Sequence, residues 1–240
     1  MVHAIIPAAG RGERLGGAIR KQFLTIGGLP ILVHTLAVFQ ASPLIDEIIC
    51  VLPKEEIGFF EGLISAGSLG KIKQLLPGGL RRQDSVGEGL SYLVAGGADP
   101  NDLVAIHDGV RPLVTGPLIE RVIETAREGG AAVASLPITD SLKRVSSDKI
   151  ILDSFPRENI RAMQTPQVFR LGLLQEAYRI AERDRFEATD EAMLVARLGV
   201  SIRCVEGSSE NIKITTAADL RMAEMILRAR LDGENRGEGQ

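Results

Sequence analysis

The feature of this sequence that most constrains its fold is a series of short, continuous apolar runs without polar alternation. An unbroken apolar run is typical of a parallel strand covered on both faces, whereas a half-exposed strand alternates apolar and polar residues. The runs predict strands at residues 2–8, 46–52, 71–76, 102–107, 131–136 and 200–205. Such strands need helices on both sides of the sheet.

Segments with helical spacing of apolar residues separate most of these runs. Apolar residues recur there every three or four positions, the period of an amphipathic helix. The spacing predicts helices at residues 30–40, 55–65, 84–94, 117–127, 171–183 and 217–230. Alternating strands and helices favour the α/β class, with a mostly parallel sheet flanked by helices.

One segment, residues 141–161, breaks this alternation. Two β-prone pieces, residues 142–145 and 149–152, are separated by a turn-like Ser-Ser-Asp sequence, with no crossover helix. The pattern alone indicates an ordinary surface hairpin, since it does not say what the hairpin touches. We predict a single domain over residues 1–230, with a protruding β-hairpin arm at about residues 138–160. Residues 231–240 are rich in glycine and charge, which predicts a disordered tail.

Charge and cysteine content exclude several classes of protein. Lys and Arg number 28 against 31 Asp and Glu, a formal net charge of -3, so we expect no nucleic-acid or membrane partner. Cys50 and Cys204 both fall in apolar runs predicted to be buried strands, and two thiols form neither a disulfide framework nor a four-ligand zinc site. No run approaches the roughly 18 apolar residues of a membrane span. We expect a cytoplasmic protein.

The first candidate site is the glycine-rich segment after the first strand. Residues 7–17 read PAAGRGERLGG, and Lys21 and Gln22 follow soon after. Small residues at the carboxyl end of a strand let backbone N–H groups approach a phosphate, while Arg14 and Lys21 could neutralise a polyphosphate. A Rossmann dinucleotide loop is disfavoured, because Gly16 comes one place too late and no helix opens there. A flexible surface loop is the remaining alternative.

A second cluster, residues 77–86, also follows a predicted strand and opens a helix. Gly79 and Ser85 could present backbone and hydroxyl groups to a ligand. A glycine turn with Asp84 or Ser85 as a helix N-cap is at least as good an interpretation of either residue alone.

The third cluster, residues 106–112, centres on Asp108 at the end of an apolar run. A carboxylate at that edge suits a Mg²⁺ ion that bridges nucleotide phosphates. Arg111 could hold a second phosphate with two hydrogen bonds. A turn or cap role is the alternative for Asp108, and we interpret His107 as a hydrogen-bonded core residue.

Taken in order along the chain, these clusters resemble the 2-C-methyl-D-erythritol 4-phosphate cytidylyltransferases of the non-mevalonate isoprenoid pathway. The resemblance covers the chain up to about its last ten residues, and ordered motifs are far more specific than one loop. The motifs are residues 7–17, Lys21-Gln22, Gly78-Gly79, Asp84-Ser85-Val86, His107-Asp108, Arg111-Pro112, Thr165-Pro166-Gln167 and Asn211-Ile212-Lys213. The resemblance implies a Rossmann-like nucleotidyltransferase fold and a homodimer in which the arm reaches the partner subunit.

The resemblance also implies a reaction and a role for each matching residue. CMP passes from CTP to the polyol phosphate and pyrophosphate is released, with Mg²⁺ near Asp108. Arg14 and Lys21 would stabilise the transition state. The residues implied in CTP binding are Ala8, Ala9, Gly10, Gly79, Ser85, Asp108, Gly109 and Lys213. Those implied in polyol phosphate binding are Arg111 and Ser141, with Arg157 and Thr165 from the second subunit.

Three positions depart from the family pattern, and three other functions stay open. Leu80 stands where the family often has an acidic residue, Gly109-Val110 replaces a commoner pair of alanines, and Ser141 replaces threonine. Only a side-chain role at position 80 is put in doubt, since serine keeps the hydroxyl.

The alternative functions are a D-ribitol 5-phosphate cytidylyltransferase, a sugar-1-phosphate nucleotidyltransferase and a non-catalytic nucleotide-binding module. The absence of a C-terminal repeat domain disfavours the second.

Overall fold

The computed structural model describes residues 1–10, 20–65 and 69–237, and its elements follow the predicted alternation. The strands are β1 (Val2–Pro7), β2 (Thr25–Ile26), β3 (Leu29–Pro30), β4 (Glu47–Leu52), β5 (Ile72–Pro77), β6 (Leu103–Ile106), β7 (Ala131–Pro137), β8 (Leu142–Val145), β9 (Ile151–Phe155), β10 (Arg161–Arg170) and β11 (Arg203–Glu206). The helices are α1 (Ile31–Ala41), α2 (Ile57–Ser65), α3 (Arg82–Ala95), α4 (Gly116–Gly129), α5 (Leu171–Arg183), α6 (Glu191–Ala196) and α7 (Ala217–Gly237). Every predicted strand and helix overlaps an element of the same type.

A seven-stranded sheet in the order β11-β7-β10-β6-β1-β4-β5 forms the centre of the fold. The pairs β1–β4, β1–β6, β4–β5 and β7–β11 are parallel, whereas β10 runs antiparallel between β6 and β7. This confirms the mostly parallel α/β class. The chain moves outward from β1 to β5 and then returns to β6 on the other side of β1. Such a switch in strand order opens a crevice at the carboxyl ends of the strands.

Helices cover both faces of the sheet. Phe39 of α1 and Phe60 of α2 are buried on one face, where α4 also packs. Leu90, Leu174 and Leu194 bring α3, α5 and α6 against the other face. A smaller apolar cluster joins α7 to β2 and to the segment after β6. The strands that end at the crevice are therefore held between two packed helical layers.

The sequence analysis missed β10 and α6. Pro166 lies within β10, where it cannot donate a ladder hydrogen bond, and such a residue argues against a strand from sequence alone. The pairing register of β10 with β7 shifts between Met163 and Gln167. The six-residue α6 is too short to display a helical period.

Two features near the end of the chain differ from the predictions. Cys50 is buried, but Cys204 is exposed, because β11 forms an edge of the sheet and most of its residues face solvent. The prediction of two buried thiols was wrong for Cys204.

Helix α7 continues past the predicted end at residue 230 to Gly237, since extending an existing helix costs far less than starting one. Within the described ranges, no helix combines the length and apolar character needed to cross a bilayer.

The predicted hairpin arm is confirmed. Strands β8 and β9 pair antiparallel as a separate two-stranded sheet, with Leu142 opposite Phe155. Their residues are largely exposed, including the apolar side chains of Val145, Ile151 and Leu152. The arm thus presents an apolar surface that the rest of the described chain does not cover.

Replacing Phe39 with alanine is expected to lower the free energy of unfolding by about 3–5 kcal/mol, because it leaves a cavity in the packed core. The Phe39 ring is fully buried, and its centroid lies 5.0 Å from that of the His107 ring. Phe59→Ala is the matched control, since Phe59 is 59% exposed and should cost about 1 kcal/mol or less. Urea denaturation measures both, and equal losses would contradict this placement of the core.

Candidate active site

The crevice at the carboxyl ends of β1, β5 and β6 contains two cavities that share Arg82, Asp108 and Lys213 in their walls. The first cavity has a volume of ≈ 140 Å³ and lies against the end of β1 and the start of α3. The second has a volume of ≈ 280 Å³ and lies against β10 and the segment before α6. Two adjoining cavities around one carboxylate suit two ligands that meet there.

Backbone and small side chains form one wall of the first cavity. Its lining includes Ala8, Ala9, Gly10, Gly79 and Ser85, all five predicted as nucleotide-binding residues. Ala8 extends the sheet, because its N–H donates to the Val51 carbonyl at 2.8 Å. Close packing continues in the β5–α3 loop, where a Cβ on Gly79 would lie 2.4 Å from Asp84 Cβ. The glycine keeps this wall thin enough for a ligand to approach the backbone.

Gly109 packs against Ala8 in the same wall. Its N–H donates to the Pro7 carbonyl at 3.2 Å, and its own carbonyl accepts a hydrogen bond from Thr35 Oγ1 at 3.1 Å. A Cβ at this position would lie 2.9 Å from Ala8 Cβ and 2.9 Å from Leu32 Cδ1. The glycine that replaces the family's commoner alanine is thus required by the packing of this chain.

Asp108 stands at the centre of the crevice with three cations around its carboxylate. Arg82 Nε donates to Oδ1 at 2.9 Å, while Lys213 Nζ and Arg111 Nε approach Oδ2 at 3.0 and 3.3 Å. Burial by itself would raise the pKa of this carboxyl, but the three cations outweigh burial and hold the pKa well below its usual range. The carboxylate is therefore ionised at neutral pH, and the cluster around it carries excess positive charge.

The sequence analysis did not identify Arg82, Glu191 or Tyr178 as site residues. Arg82 Nη1 donates to both carboxylate oxygens of Glu191 at 2.8 Å, and the Tyr178 hydroxyl donates to Glu191 Oε1 at 3.2 Å. Glu191 is only 1% exposed, and a buried carboxylate needs such partners to remain charged. The motif around residues 77–86 contained Arg82, but nothing in the sequence pattern indicates a partner on the short α6.

His107 and Thr165 connect β10 to the same site. The Asp108 N–H donates to Thr165 Oγ1 at 3.1 Å, and that hydroxyl lies 3.0 Å from His107 Nδ1. His107 Nε2 lies 3.2 Å from the Arg111 carbonyl, so the ring donates from Nε2 and accepts at Nδ1. The ring is fully buried and contacted at both nitrogens, which confirms the predicted hydrogen-bonded core histidine. Burial lowers the pKa of His107 to about 3, so the ring is neutral at pH 7.

Thr165 requires a correction. It was expected to contribute from the second subunit, but it is 3% exposed and hydrogen-bonded beside Asp108 of its own chain. The antiparallel β10 carries it there, and that strand was missing from the predicted topology. Thr165 lines the second cavity, and so does Arg111, which was also predicted to bind the polyol phosphate.

The remaining predicted residues lie apart or cannot be placed. Ser141 is exposed next to β8, and Arg157 follows β9, where its Nη1 donates to the Thr139 carbonyl. Neither lines either of the two cavities of this crevice. Lys21 lines the first cavity, whereas Arg14 lies outside the described residues.

The residues of the first cavity fit the divalent cation that the resemblance implies. Mg²⁺ takes one or two protein carboxylates and completes its shell with water and phosphate oxygens. The described residues contain no cluster of three or more His, Cys, Asp or Glu that could enclose a metal, so an ion here depends on its ligand. Oδ1 of Asp108 accepts one hydrogen bond from the described residues, from Arg82. It retains a lone pair for a cation.

Comparison with known proteins shows which family this chain resembles. The model of the 2-C-methyl-D-erythritol 4-phosphate cytidylyltransferase family (IspD) matches residues 2–229. A protein of that name from Geobacter metallireducens is 44% identical over 231 residues, covering 96% of this chain and 99% of the relative. Another from Syntrophus aciditrophicus is 45% identical over 228 residues, with coverages of 95% and 96%.

A solved structure gives the same result for the fold. The crystal structure of the enzyme of that name from Thermus thermophilus superposes with a TM-score of 0.73 at 36% identity, covering 94% of this chain and 98% of that one. Because the family model matches residues 2–229 of the 240-residue chain, and because relatives of this identity and coverage carry the same name, the chain belongs to the 2-C-methyl-D-erythritol 4-phosphate cytidylyltransferase family of nucleotidyltransferases.

Proposed function

We propose that this chain transfers CMP from CTP to 2-C-methyl-D-erythritol 4-phosphate, giving 4-diphosphocytidyl-2-C-methyl-D-erythritol and pyrophosphate. The observation that carries the proposal is the pair of cavities around Asp108, one walled by backbone and glycine and the other by Arg111 and Thr165. Family membership supports the choice of both substrates.

The reaction joins two anions, so charge neutralisation and positioning supply most of its catalysis. A phosphate oxygen of the polyol phosphate attacks the α-phosphorus of CTP, forming a new P–O bond. The bond from the α-phosphorus to the bridging oxygen breaks, and its electron pair leaves with pyrophosphate. No general base is required, because the attacking phosphate is already ionised. The neutral, buried state of His107 is consistent with this.

The first cavity binds CTP in this proposal. The backbone at Ala8, Ala9 and Gly10 approaches the phosphates, and Gly79 and Ser85 line the same cavity beside it. Gly109 acts through its support of Ala8. Lys213 is 37% exposed and borders both cavities, so it can turn from Asp108 toward a phosphate while the two arginines keep the carboxylate neutralised. Lys21, together with Arg14, stabilises the charge that develops in the transition state.

The second cavity binds the polyol phosphate. Arg111 borders it and is held in place by Asp108 and by the Asn211 carbonyl, to which Nη1 donates at 2.7 Å. A bound Mg²⁺ at Asp108 would neutralise charge on the phosphate oxygens. Thr165 lines the cavity, and its hydroxyl accepts a hydrogen bond from the Asp108 backbone N–H and so orients Asp108.

The arm supplies the remaining predicted contacts in a homodimer. Its exposed apolar side chains, among them Ile150, Ile151 and Leu152, suit an interface between two copies. Ser141 precedes β8 and Arg157 follows β9, so both lie at the open end of the hairpin. From there Arg157 would reach the polyol phosphate of the partner subunit. We place the enzyme in the cytoplasm, where CTP is available.

Pyrophosphate release from CTP and Mg²⁺ tests the proposed function. We expect release with 2-C-methyl-D-erythritol 4-phosphate and none with D-ribitol 5-phosphate, because the family's acceptor is the first compound. Release with D-ribitol 5-phosphate alone would move the protein to polyol phosphate metabolism. Tight CTP binding without release in either case would support a non-catalytic nucleotide-binding module instead.

Lys21→Ala is expected to reduce kcat by about 10²–10³-fold while weakening CTP binding much less, since its cation acts mainly in the transition state. Steady-state kinetics together with calorimetric CTP binding separate the two effects. Lys73→Ala is the control, because Lys73 is an exposed lysine on β5 that lines neither cavity. Equal losses in turnover and affinity for Lys21→Ala would contradict a transition-state role.

A further inference from the structure

Gln22 is a buried amide without a hydrogen-bond partner among the described residues. It is 1% exposed, lies in the 3-10 turn Lys21–Phe23, and lines the first cavity. Neither its Oε1 nor its Nε2 makes a hydrogen bond with any described residue. Leaving a buried amide unpaired destabilises a folded chain, so native structures rarely keep one without a use.

Gln167, which lines the second cavity, shows how the protein itself can satisfy a buried glutamine amide. It is also 1% exposed. Its Nε2 donates to Asp190 Oδ2 at 2.9 Å, and its Oε1 accepts from the Ala192 N–H at 3.0 Å. The two glutamines are equally buried and differ in whether other described residues satisfy their amides.

The surroundings of Gln22 indicate what would satisfy it. The same cavity is lined by the cationic side chains of Lys21, Arg82 and Lys213, so it favours an anion. Nη2 of Arg82 is a second buried donor there that lacks a partner among the described residues. Phosphate oxygens carry negative charge and accept several hydrogen bonds each, which matches two unused donors beside a group of cations.

We propose that Gln22 is a phosphate-binding residue, whose Nε2 donates a hydrogen bond to a phosphate oxygen of CTP. No described residue pairs with this Nε2 in the free protein, and nucleotide binding supplies its acceptor. A carboxamide adds a directed hydrogen bond without adding charge, so Gln22 orients the phosphates that the neighbouring cations attract. The inference rests on the proposed function, because it takes CTP as the ligand.

Gln22→Met tests this inference, since methionine has a similar length and shape but no amide. Without ligand, the Tm of Q22M should equal or exceed that of the unsubstituted protein, because the variant removes an unpaired polar group. The Kd for CTP, measured by calorimetry with Mg²⁺, should rise roughly tenfold or more, as expected for one lost hydrogen bond to a charged group. A purely structural glutamine would show the reverse pattern.

Gln167→Met is the matched control for stability. It breaks hydrogen bonds that the protein makes to a buried amide, so its Tm should fall clearly below that of Q22M. Two further probes locate the contact on the ligand. Q22M should weaken binding of inorganic pyrophosphate as it weakens CTP, and leave cytidine binding unchanged.

Unchanged CTP affinity in Q22M, or a fall in Tm as large as that of Q167M, would overturn the inference. A measurement on the unsubstituted protein adds an independent check: the Gln22 side-chain amide resonance should shift on addition of CTP or pyrophosphate but not cytidine. CTP binding without pyrophosphate release would refute the proposed function alone, and these comparisons would still decide the role of Gln22. Absence of CTP binding would contradict both.

Discussion

The ionised carboxylate of Asp108 is the group on which the arrangement of the crevice depends. It is 6% exposed, and a buried charge is tolerated only with close partners. Its three cations come from separate segments: Arg82 from the start of α3, Arg111 from the loop after β6, and Lys213 from the segment before α7. One carboxylate therefore draws together parts of the chain that no single element connects.

The same interaction explains how a chain with net negative charge can receive two anionic substrates. The formal net charge is -3, so recognition of phosphates has to be local. The Arg82 guanidinium donates hydrogen bonds to the carboxylates of both Glu191 and Asp108. These bonds hold it in the wall that the two cavities share. Backbone groups at the strand ends add donors without charge, and the parallel sheet is what brings those ends together.

The sequence was sufficient to predict those site residues that come soon after the end of a single strand. Gly79, Ser85 and Asp108 each follow an apolar run, and the carboxyl ends of parallel strands meet at one edge. The sequence was not sufficient to predict contacts made by residues on an irregular or very short element. Glu191 lies 109 residues from Arg82 on a helix too short to show a period, and Thr165 reaches its own Asp108 through a strand that contains proline.

The arm shows the same contrast between features that the sequence predicts and features that it does not. Its two strands and turn could be recognised from β-prone pieces and turn residues, whereas its role in a homodimer came from family resemblance and stays a prediction. Packing details also escaped the sequence. The need for glycine at position 109 becomes apparent only when Ala8 and Leu32 are seen 2.9 Å from the place of a Cβ.

The pH dependence of unfolding in the unsubstituted protein and in Asp108→Asn tests the central role of the carboxylate most directly. The neighbouring cations hold the pKa of Asp108 well below its usual range, so its contribution is present above the unfolded-state pKa of about 3.9 and is lost as pH falls below it. Urea denaturation from neutral pH to about pH 3 should therefore show D108N much less stable at pH 7, with the difference shrinking below about pH 4. A D108N variant as stable as the unsubstituted protein at pH 7, or a difference independent of pH, would contradict the account.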